Sequence, residues 1–198
     1  MELFALFFTP FLTLSLIYDY HISVGKDQTL YFIFIFCLIG DLTVIIDDFY
    51  FFISALMAYW GAAILFCFVL NKELEKALVP LLYKWKYCLP FIFYGRYFIL
   101  LMYLIKPYLK KLFIPIIIYA ATLSFAAALR IIVYIERRTK SIAYLSSGLV
   151  LLSITASLIG INRFYYKSDF LHGIETLLYA PTLFLIFLYF KTKTNDEF

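Results

Sequence analysis

The chain has 198 residues, of which 65% are hydrophobic and 22% aromatic, and it carries a net charge of +4. Its mean hydropathy of +0.92 excludes a water-soluble domain, because a domain of this size has too much surface to hide so many apolar side chains. The apolar stretches are continuous rather than alternating, which excludes a transmembrane β-barrel. The sequence therefore predicts an all-α, polytopic transmembrane helix bundle that forms a single domain over residues 1–198.

Seven apolar stretches are predicted to be membrane spans. Pro10 interrupts the first of them, and several are shorter than the ~20 residues that an average bilayer requires, so tilt is limited or the bilayer thins locally. In chain order the predicted spans are 3–18, 29–46, 49–70, 88–105, 112–129, 142–161 and 174–189.

Basic residues in the connections between spans predict the orientation of the chain. The positive-inside rule places the richer side in the cytoplasm, so the N-terminus is expected outside and the C-terminus inside. We expect a bacterial inner membrane, although a eukaryotic endomembrane also fits. Short loops of this kind do not form the basic surface of a nucleic-acid-binding protein. The richer side has Lys26, Lys72, Lys76, Lys84, Lys86, Arg130, Arg137, Arg138, Lys140, Lys191 and Lys193, and the other side has Lys106, Lys110, Lys111, Arg163 and Lys167.

Cysteine and histidine spacing predicts neither a metal site nor another cofactor. Cys37, Cys67 and Cys88 lie in or beside apolar runs without the spacing of metal ligands. His21 and His172 lie in predicted connections, where solvation is expected. The sequence carries no Ser/His/Asp elbow and no glycine-rich phosphate loop.

Serine residues on one face of the sixth span have two interpretations. Ser146, Ser153 and Ser157 share that face, with Gly160 nearby. Their hydroxyl groups either bond to the preceding helical turn or form the wall of a polar cavity.

A single carboxylate, Asp41, lies inside the apolar run 29–46. A charge inside a membrane helix costs about 2.5–3.5 kcal/mol on insertion scales, and such residues usually face a cavity or a partner. Asp41 is therefore the first candidate for a functional residue.

Arg96 lies in the middle of the fourth predicted span. An acid and a base that both lie deep in the bilayer are expected to pair, because each otherwise faces hydrocarbon alone. One interpretation is a structural Asp41–Arg96 ion pair. The other is a polar pocket in which Arg96 binds a phosphate or fixes the ionisation of Asp41.

Acidic residues at the ends of spans are interpreted as helix caps. Asp47 and Asp48 directly precede the third span, and Glu175 begins the last one. Carboxylates at helix N-termini are favoured by the helix dipole. The two aspartates have a second interpretation as the rim of a cavity.

Four short segments, spread over most of the chain, carry a resemblance to a known family. Residues 36–41, Phe-Cys-Leu-Ile-Gly-Asp, resemble its Phe-Ser-Leu-Leu-Gly-Asp, and residues 114–119 are similar to its Pro-Val-x-x-Tyr segment. Residues 148–164 are similar to a glycine-led apolar run that ends in Ser-Asp-x-x-Leu-Ala-Ile-Asn-Lys-Phe, and Tyr179-Ala180 matches an aromatic followed by Ala-Gln. On these segments the chain resembles the lysoplasmalogenase-like (YhhN-type) integral membrane family, as a divergent member.

The chain departs from the family pattern at several positions. The second intramembrane acid of the family falls on Ala156, after Thr155. The family's histidine falls near Gly61-Ala62, its lysine on Thr9 and its glutamine on Pro181. The resemblance also implies eight spans with both ends in the cytoplasm, so seven spans would correspond to a chain without the first family helix.

The resemblance implies hydrolysis of the vinyl-ether bond of lysoplasmalogens, with release of a fatty aldehyde. Such hydrolysis begins with protonation of a vinyl carbon, so one carboxyl group must donate a proton and another group must assist water. Asp41 is the implied donor, since a low-dielectric environment disfavours the charged form of a carboxyl group. Arg96, Thr155 and Tyr59 are the implied substrate-binding residues, and Ala156 leaves the base role without a residue.

Three classes of function remain open at this point. The first is a divergent enzyme that acts on a lysophospholipid or similar membrane lipid. The second is a non-catalytic protein of the same fold that binds a lipid or a partner. The third is a small proton-coupled carrier, in which Asp41 would be the protonation site. The sequence predicts no oligomeric state.

Overall fold

The structure of the protein is a computed structural model that describes residues 2–23, 28–46, 48–76 and 85–196. Within these ranges every regular element is helical, which confirms the predicted all-α class. Two short 3₁₀ turns, Trp85–Tyr87 and Lys110–Leu112, precede α4 and α5. The α-helices are α1 (Glu2–Ser23), α2 (Gln28–Val44), α3 (Phe49–Lys76), α4 (Cys88–Leu109), α5 (Phe113–Glu136), α6 (Lys140–Phe164) and α7 (Asp169–Asp196).

Four helical segments within the described residues are long and apolar enough to cross a membrane. One of them contains both α4 and α5, and α2 is apolar but shorter. Several apolar helices of this kind are typical of a multi-pass membrane protein. Length and composition thus assign fewer spans than the seven that the sequence predicts. The four segments are Phe49–Glu75, Cys88–Glu136, Lys140–Phe164 and Asp169–Lys193.

Six of the seven helices in the described residues extend beyond the C-terminal ends of the predicted spans, and α1 and α3 are two examples. Pro10 lies inside α1, which continues to Ser23. α3 continues past residue 70 to Lys76, because Glu73 and Leu74 in its last turns are buried against neighbouring helices. Apolar runs locate the part of a helix that lies in hydrocarbon, and polar contacts then prolong the helix beyond it.

Six helices pack in a ring, and the seventh lies outside it. The ring runs in the order α1, α2, α3, α5, α6, α7 and back to α1, while α4 packs on α5 and α6. The core inside the ring is rich in fully buried aromatic side chains. These include Tyr20, Phe34, Phe66, Tyr189 and Phe190.

Small residues mark the closest helix contacts. A Cβ added at Gly148 of α6 would lie 3.1 Å from the Ile186 side chain and 3.4 Å from its backbone nitrogen in α7. On α3 and α5, which pack together, Ala62 and Ala128 are buried. Small side chains let backbones approach closely where lipid supplies no hydrophobic drive.

The two ends of the bundle differ in character. At one end, here called the site end, Phe52 of α3 contacts Phe164 of α6, and Tyr108 of α4 contacts Tyr165.

At the opposite end, Glu73 of α3 accepts hydrogen bonds from side chains of other segments. The buried Glu73 carboxylate lies 2.6 Å from Arg137 Nη1, 2.8 Å from Lys193 Nζ and 3.0 Å from Tyr189 Oη. These four residues, here called the Glu73 cluster, tie α3 to α7 and to the residue that follows α5.

Candidate active site

Asp41 lies near the end of α2, and side chains of α1 and α3 contact its carboxyl group. Only 3% of its surface is exposed. Tyr59 of α3 donates a hydrogen bond to Oδ1 at 2.8 Å. The Thr13 hydroxyl of α1 lies 3.0 Å from Oδ2 and also 3.0 Å from the Thr9 carbonyl oxygen. The carboxyl group is thus held between hydroxyl groups, and both of its oxygens are partnered.

Gly40, next to Asp41, allows the close approach of α3. A Cβ added at Gly40 would lie 2.6 Å from the ring of Tyr59, which is shorter than any normal contact. Gly40 therefore leaves room for the Tyr59 ring, and Asp41 accepts the hydrogen bond from the Tyr59 hydroxyl. The two residues together position the tyrosine.

A small cavity of about 130 Å³, here called the inner cavity, adjoins Asp41. Tyr59, Thr155 and Tyr179 also line it. The Tyr179 hydroxyl is buried without a hydrogen-bond partner in the described part of the chain. A buried polar atom of this kind normally has a partner, so the cavity is suited to a polar group or to water.

A second cavity of about 520 Å³, here called the outer cavity, lies beside the first. Its lining is mainly apolar and includes Leu56, Leu101, Met102, Ile105 and Leu123. Volumes in this range are typical of sites for small organic ligands. The two cavities share Val44, Tyr59, Tyr119, Ala156, Ile159, His172 and Glu175 in their linings.

Basic side chains line the outer cavity at the site end. Arg163 and Lys167 are exposed and lie at the end of α6 and in the turn that follows it. The Arg163 guanidinium stacks over the Phe52 ring with 4.1 Å between its central carbon and the ring centroid. A group that enters here would pass positive charge before it reaches the apolar lining.

Glu175 and His172 belong to the same site, contrary to the sequence-based prediction. Both lie inside α7 rather than in a connection or at a cap, and both line the two cavities. His172 Nδ1 lies 2.6 Å from Glu175 Oε1. Only 12% of the Glu175 side chain is exposed, and its Oε2 has no hydrogen-bond partner among the described residues.

Arg96 does not join Asp41. Its side chain is exposed on α4, it lines neither cavity, and no ion pair links it to Asp41 in the described part of the chain. The predicted Asp41–Arg96 ion pair is therefore wrong. Helix α4 lies outside the ring that contains α2, so a shared depth in the bilayer does not bring the two residues together.

The buried guanidinium is instead Arg130, which the sequence assigned to a connection. It lies within α5 and is 2% exposed. It donates to the Ser146 carbonyl oxygen at 2.5 Å, to the Ala127 carbonyl oxygen at 3.1 Å and to the Tyr94 hydroxyl. Tyr94 lines the outer cavity, so Arg130 contributes to the site only through that tyrosine.

The other implied binding residues lie at the cavities. Tyr59 lines both, and Thr155 lines the inner one, where its hydroxyl donates to the Leu151 carbonyl oxygen at 2.8 Å. Ala156 also lines both cavities, so the position at which the resemblance lacks an acid does face the site.

Two of the three serine residues on one face of α6 fit both interpretations, since they bond to the preceding helical turn and also line a cavity. Ser153 and Ser157 donate to carbonyl oxygens one turn earlier, at 2.8 Å in each case, and both line the outer cavity. The third, Ser146, has a buried hydroxyl without a partner among the described residues.

Asp48 caps α3 as predicted. Its Oδ1 accepts hydrogen bonds from the backbone N–H groups of Tyr50 at 2.8 Å and Phe51 at 3.4 Å. Asp47 lies outside the described residues.

Comparison with known proteins gives one match that covers nearly the whole chain. A model of the YhhN family matches residues 3–190. No protein of curated function and no solved structure matches the chain significantly.

Proposed function

The chain is a member of the YhhN family, and from that premise we propose that it hydrolyses the vinyl-ether bond of a single-chain ether phospholipid. One observation carries the proposal: a buried carboxyl group, Asp41, lies at a small cavity that adjoins a larger, mainly apolar one. Vinyl-ether cleavage needs a proton donor next to a site for an alkyl chain, and this arrangement supplies both.

The linings of the cavities support a particular placement of the lipid. The alkyl chain occupies the apolar outer cavity, among Leu101, Met102 and Leu123. The phosphate lies near Arg163 and Lys167, because a guanidinium and an ammonium group both bind phosphate oxygens well. The vinyl-ether bond then lies near Tyr59, which lines both cavities and contacts Asp41.

The same proposal includes a topology of seven spans in a bacterial inner membrane. Each of the seven helices crosses the bilayer once, with the N-terminus outside and the C-terminus in the cytoplasm. The Glu73 cluster, which contains Arg137 and Lys193, then lies at the cytoplasmic end, where basic residues are favoured. The cavities open at the other face.

The decisive experiment is aldehyde release by purified protein in detergent micelles. We expect the wild type to release a long-chain aldehyde from lysoplasmalogen and nothing from the saturated alkyl-ether analogue, which has no vinyl bond. Asp41→Asn keeps the size of the side chain and removes the proton, so it should be inactive. Aldehyde release by the wild type no greater than by Asp41→Asn would refute the proposal.

A non-catalytic lipid-binding protein is the second candidate, and one observation favours it. Ala156, which faces both cavities, occupies the position of the family's second acid in the resemblance described above. This candidate predicts that ether lysolipid binds equally well to the wild type and to Asp41→Asn, without any aldehyde. An active wild type would exclude it.

A further inference from the structure

Glu175 supplies the site with a second carboxylate. It belongs to α7, whereas Asp41 belongs to α2, and the two line the same inner cavity. The side chain is 12% exposed. A site with two carboxyl groups from different helices can divide the donor and acceptor roles of an acid–base reaction between them.

The two oxygens of Glu175 have different surroundings. Oε1 is 2.6 Å from His172 Nδ1, which fixes the orientation of the carboxylate. Oε2 is buried and has no hydrogen-bond partner in the described part of the chain, and the same holds for the Tyr179 hydroxyl, one turn further along α7. Both side chains line the same small cavity, so a small polar group held there would lie beside Glu175 and Tyr179.

The volume of the inner cavity limits the size of such a group. About 130 Å³ accommodates water molecules, since one water needs roughly 10–15 Å³ measured in this way. A bulky ligand group would instead fill the adjoining outer cavity of about 520 Å³. The inner cavity therefore has room for water beside Asp41.

We infer that Glu175 is the general base that activates the hydrolytic water, and that His172 is the residue that positions it. This assignment rests on the proposed function. Ala156 of α6 cannot act as the base that the reaction requires. The inference assigns that role to a residue of α7 instead.

The protons balance over the reaction. The Asp41 carboxyl gives its proton to the vinyl carbon distant from the oxygen, and the other vinyl carbon becomes part of an oxocarbenium ion. Water bonds to that carbon while Glu175 takes one of its protons, which gives a hemiacetal. The hemiacetal C–O bond to the glycerol then breaks, the leaving oxygen takes the proton from Glu175, and the hydroxyl proton returns to Asp41. The products are an aldehyde and a glycerol hydroxyl group, with both carboxyl groups in their initial states.

Substitution of Glu175 tests the assignment in the full-length protein. Glu175→Gln keeps the shape and removes the base, and we expect kcat to fall by about 10²–10⁴-fold, the usual contribution of a positioned base. Glu175→Ala should lose as much, and added sodium formate should restore part of the activity, because formate fits the vacated space. Asp169→Asn, an exposed acid at the start of the same helix, is the matched control and should leave kcat unchanged.

The positioning role of His172 has its own test. His172→Asn retains a donor near the position of Nδ1, whereas His172→Leu does not. We expect His172→Asn to keep several-fold more activity than His172→Leu, with KM unchanged in both.

The outcomes separate this inference from the proposed function. A wild type that releases no aldehyde would overturn both. An active wild type together with a fully active Glu175→Gln, or with a Glu175→Ala that formate fails to rescue, would overturn the assignment of Glu175 alone. Loss of activity in Glu175→Gln together with rescue of Glu175→Ala by formate would establish it.

Discussion

Hydroxyl groups on both sides of Asp41 hold its carboxyl group in a fixed orientation. Thr13 lies at one oxygen and Tyr59 at the other. Neither residue belongs to α2, so each hydrogen bond also links two helices. Removing such a bond inside a membrane protein costs both local order and helix association.

Thr13→Val tests the energetic contribution of one of these bonds. The substitution keeps the shape of the side chain and removes the hydroxyl group at Oδ2. We expect a loss of about 1–3 kcal/mol, because a buried acceptor loses a partner, and thus a Tm lower by several degrees in detergent. Thr182→Val is the control, since among the described residues the equally buried Thr182 hydroxyl bonds only to the Leu178 carbonyl oxygen of its own helix. Equal Tm values for the two variants would contradict the prediction.

At the residue scale, the sequence identifies Asp41 but not its partners in the cavity. Asp41 is conspicuous because it interrupts an apolar run. Glu175 lies at the start of an apolar run, where an acidic residue is ordinarily interpreted as a helix cap. The neighbouring sequence does not indicate that it lies beside Asp41. That proximity depends on how α7 packs against α6 and α1. The predicted ion pair of Arg96 with Asp41 is wrong because depth along a helix says nothing about the direction in which the side chain points.

At the scale of the helix, Gly40 determines how closely α2 and α3 approach each other. The ring of Tyr59 occupies the space where a side chain at residue 40 would begin. The contact therefore couples the packing of two helices to the hydrogen bond on Asp41.

Gly40→Ala should displace Tyr59 from Asp41. The new methyl group would lie 2.6 Å from the tyrosine ring, so the ring must move. We expect aldehyde release to fall at least tenfold, because a positioning error near 1 Å in an active site costs roughly that much or more. Gly95→Ala in α4, where a Cβ would meet nothing within 4 Å, is the matched control. That control should retain full activity and gain up to about 1 kcal/mol of stability.

Helix positions are well predicted from sequence, and helix ends are less so. Each predicted span overlaps one α-helix, since long apolar runs cannot form other structures in a bilayer. The end of α3 was missed because Glu73 and Lys76 read as loop residues. Residues from elsewhere in the chain bury Glu73 and so extend α3. The local sequence pattern does not predict such distant partners.

At the scale of the whole molecule, the Glu73 cluster holds together segments that are far apart in sequence. Arg137 follows α5, while Tyr189 and Lys193 lie in α7. All three contact one buried carboxylate.

Glu73→Gln should destabilise the whole bundle. The charge that Arg137 and Lys193 share would be lost, and breaking a buried ion pair in this way costs about 3–5 kcal/mol. We expect the lower end of that range, because a third of the Arg137 side chain is exposed. Unfolding by sodium dodecyl sulfate, followed by circular dichroism, measures the loss. Glu75→Gln should change little, because Glu75 is an exposed acid whose bonding partner within the described ranges is Asn71 of the same helix.

The orientation of the bundle can be tested with reporter fusions. If the C-terminus lies in the cytoplasm, a C-terminal green fluorescent protein should fluoresce and a C-terminal alkaline phosphatase should be inactive. Truncation at residue 167 with the same reporters should reverse both results, because the turn after α6 lies at the site end of the bundle. A phosphatase that is active at the C-terminus would refute the proposed topology.

The fold class follows from the sequence, while the arrangement of helices does not. Composition and apolar run length are sufficient for a helical bundle. The ring order, with α4 outside, depends on contacts such as Gly148 against Ile186, which involve residues about forty positions apart. Apolar side chains are interchangeable in lipid, so their pattern does not specify neighbours.

The Glu73 cluster and the two cavities lie at opposite ends of the bundle, and this separation bears on how the family can diversify. The ion pairs of the Glu73 cluster are remote from the residues that line the cavities. Replacement of a partly exposed lining residue such as Ala156 therefore leaves those ion pairs unchanged. The ligand specificity of the cavities can therefore change among natural variants while the Glu73 cluster stays intact.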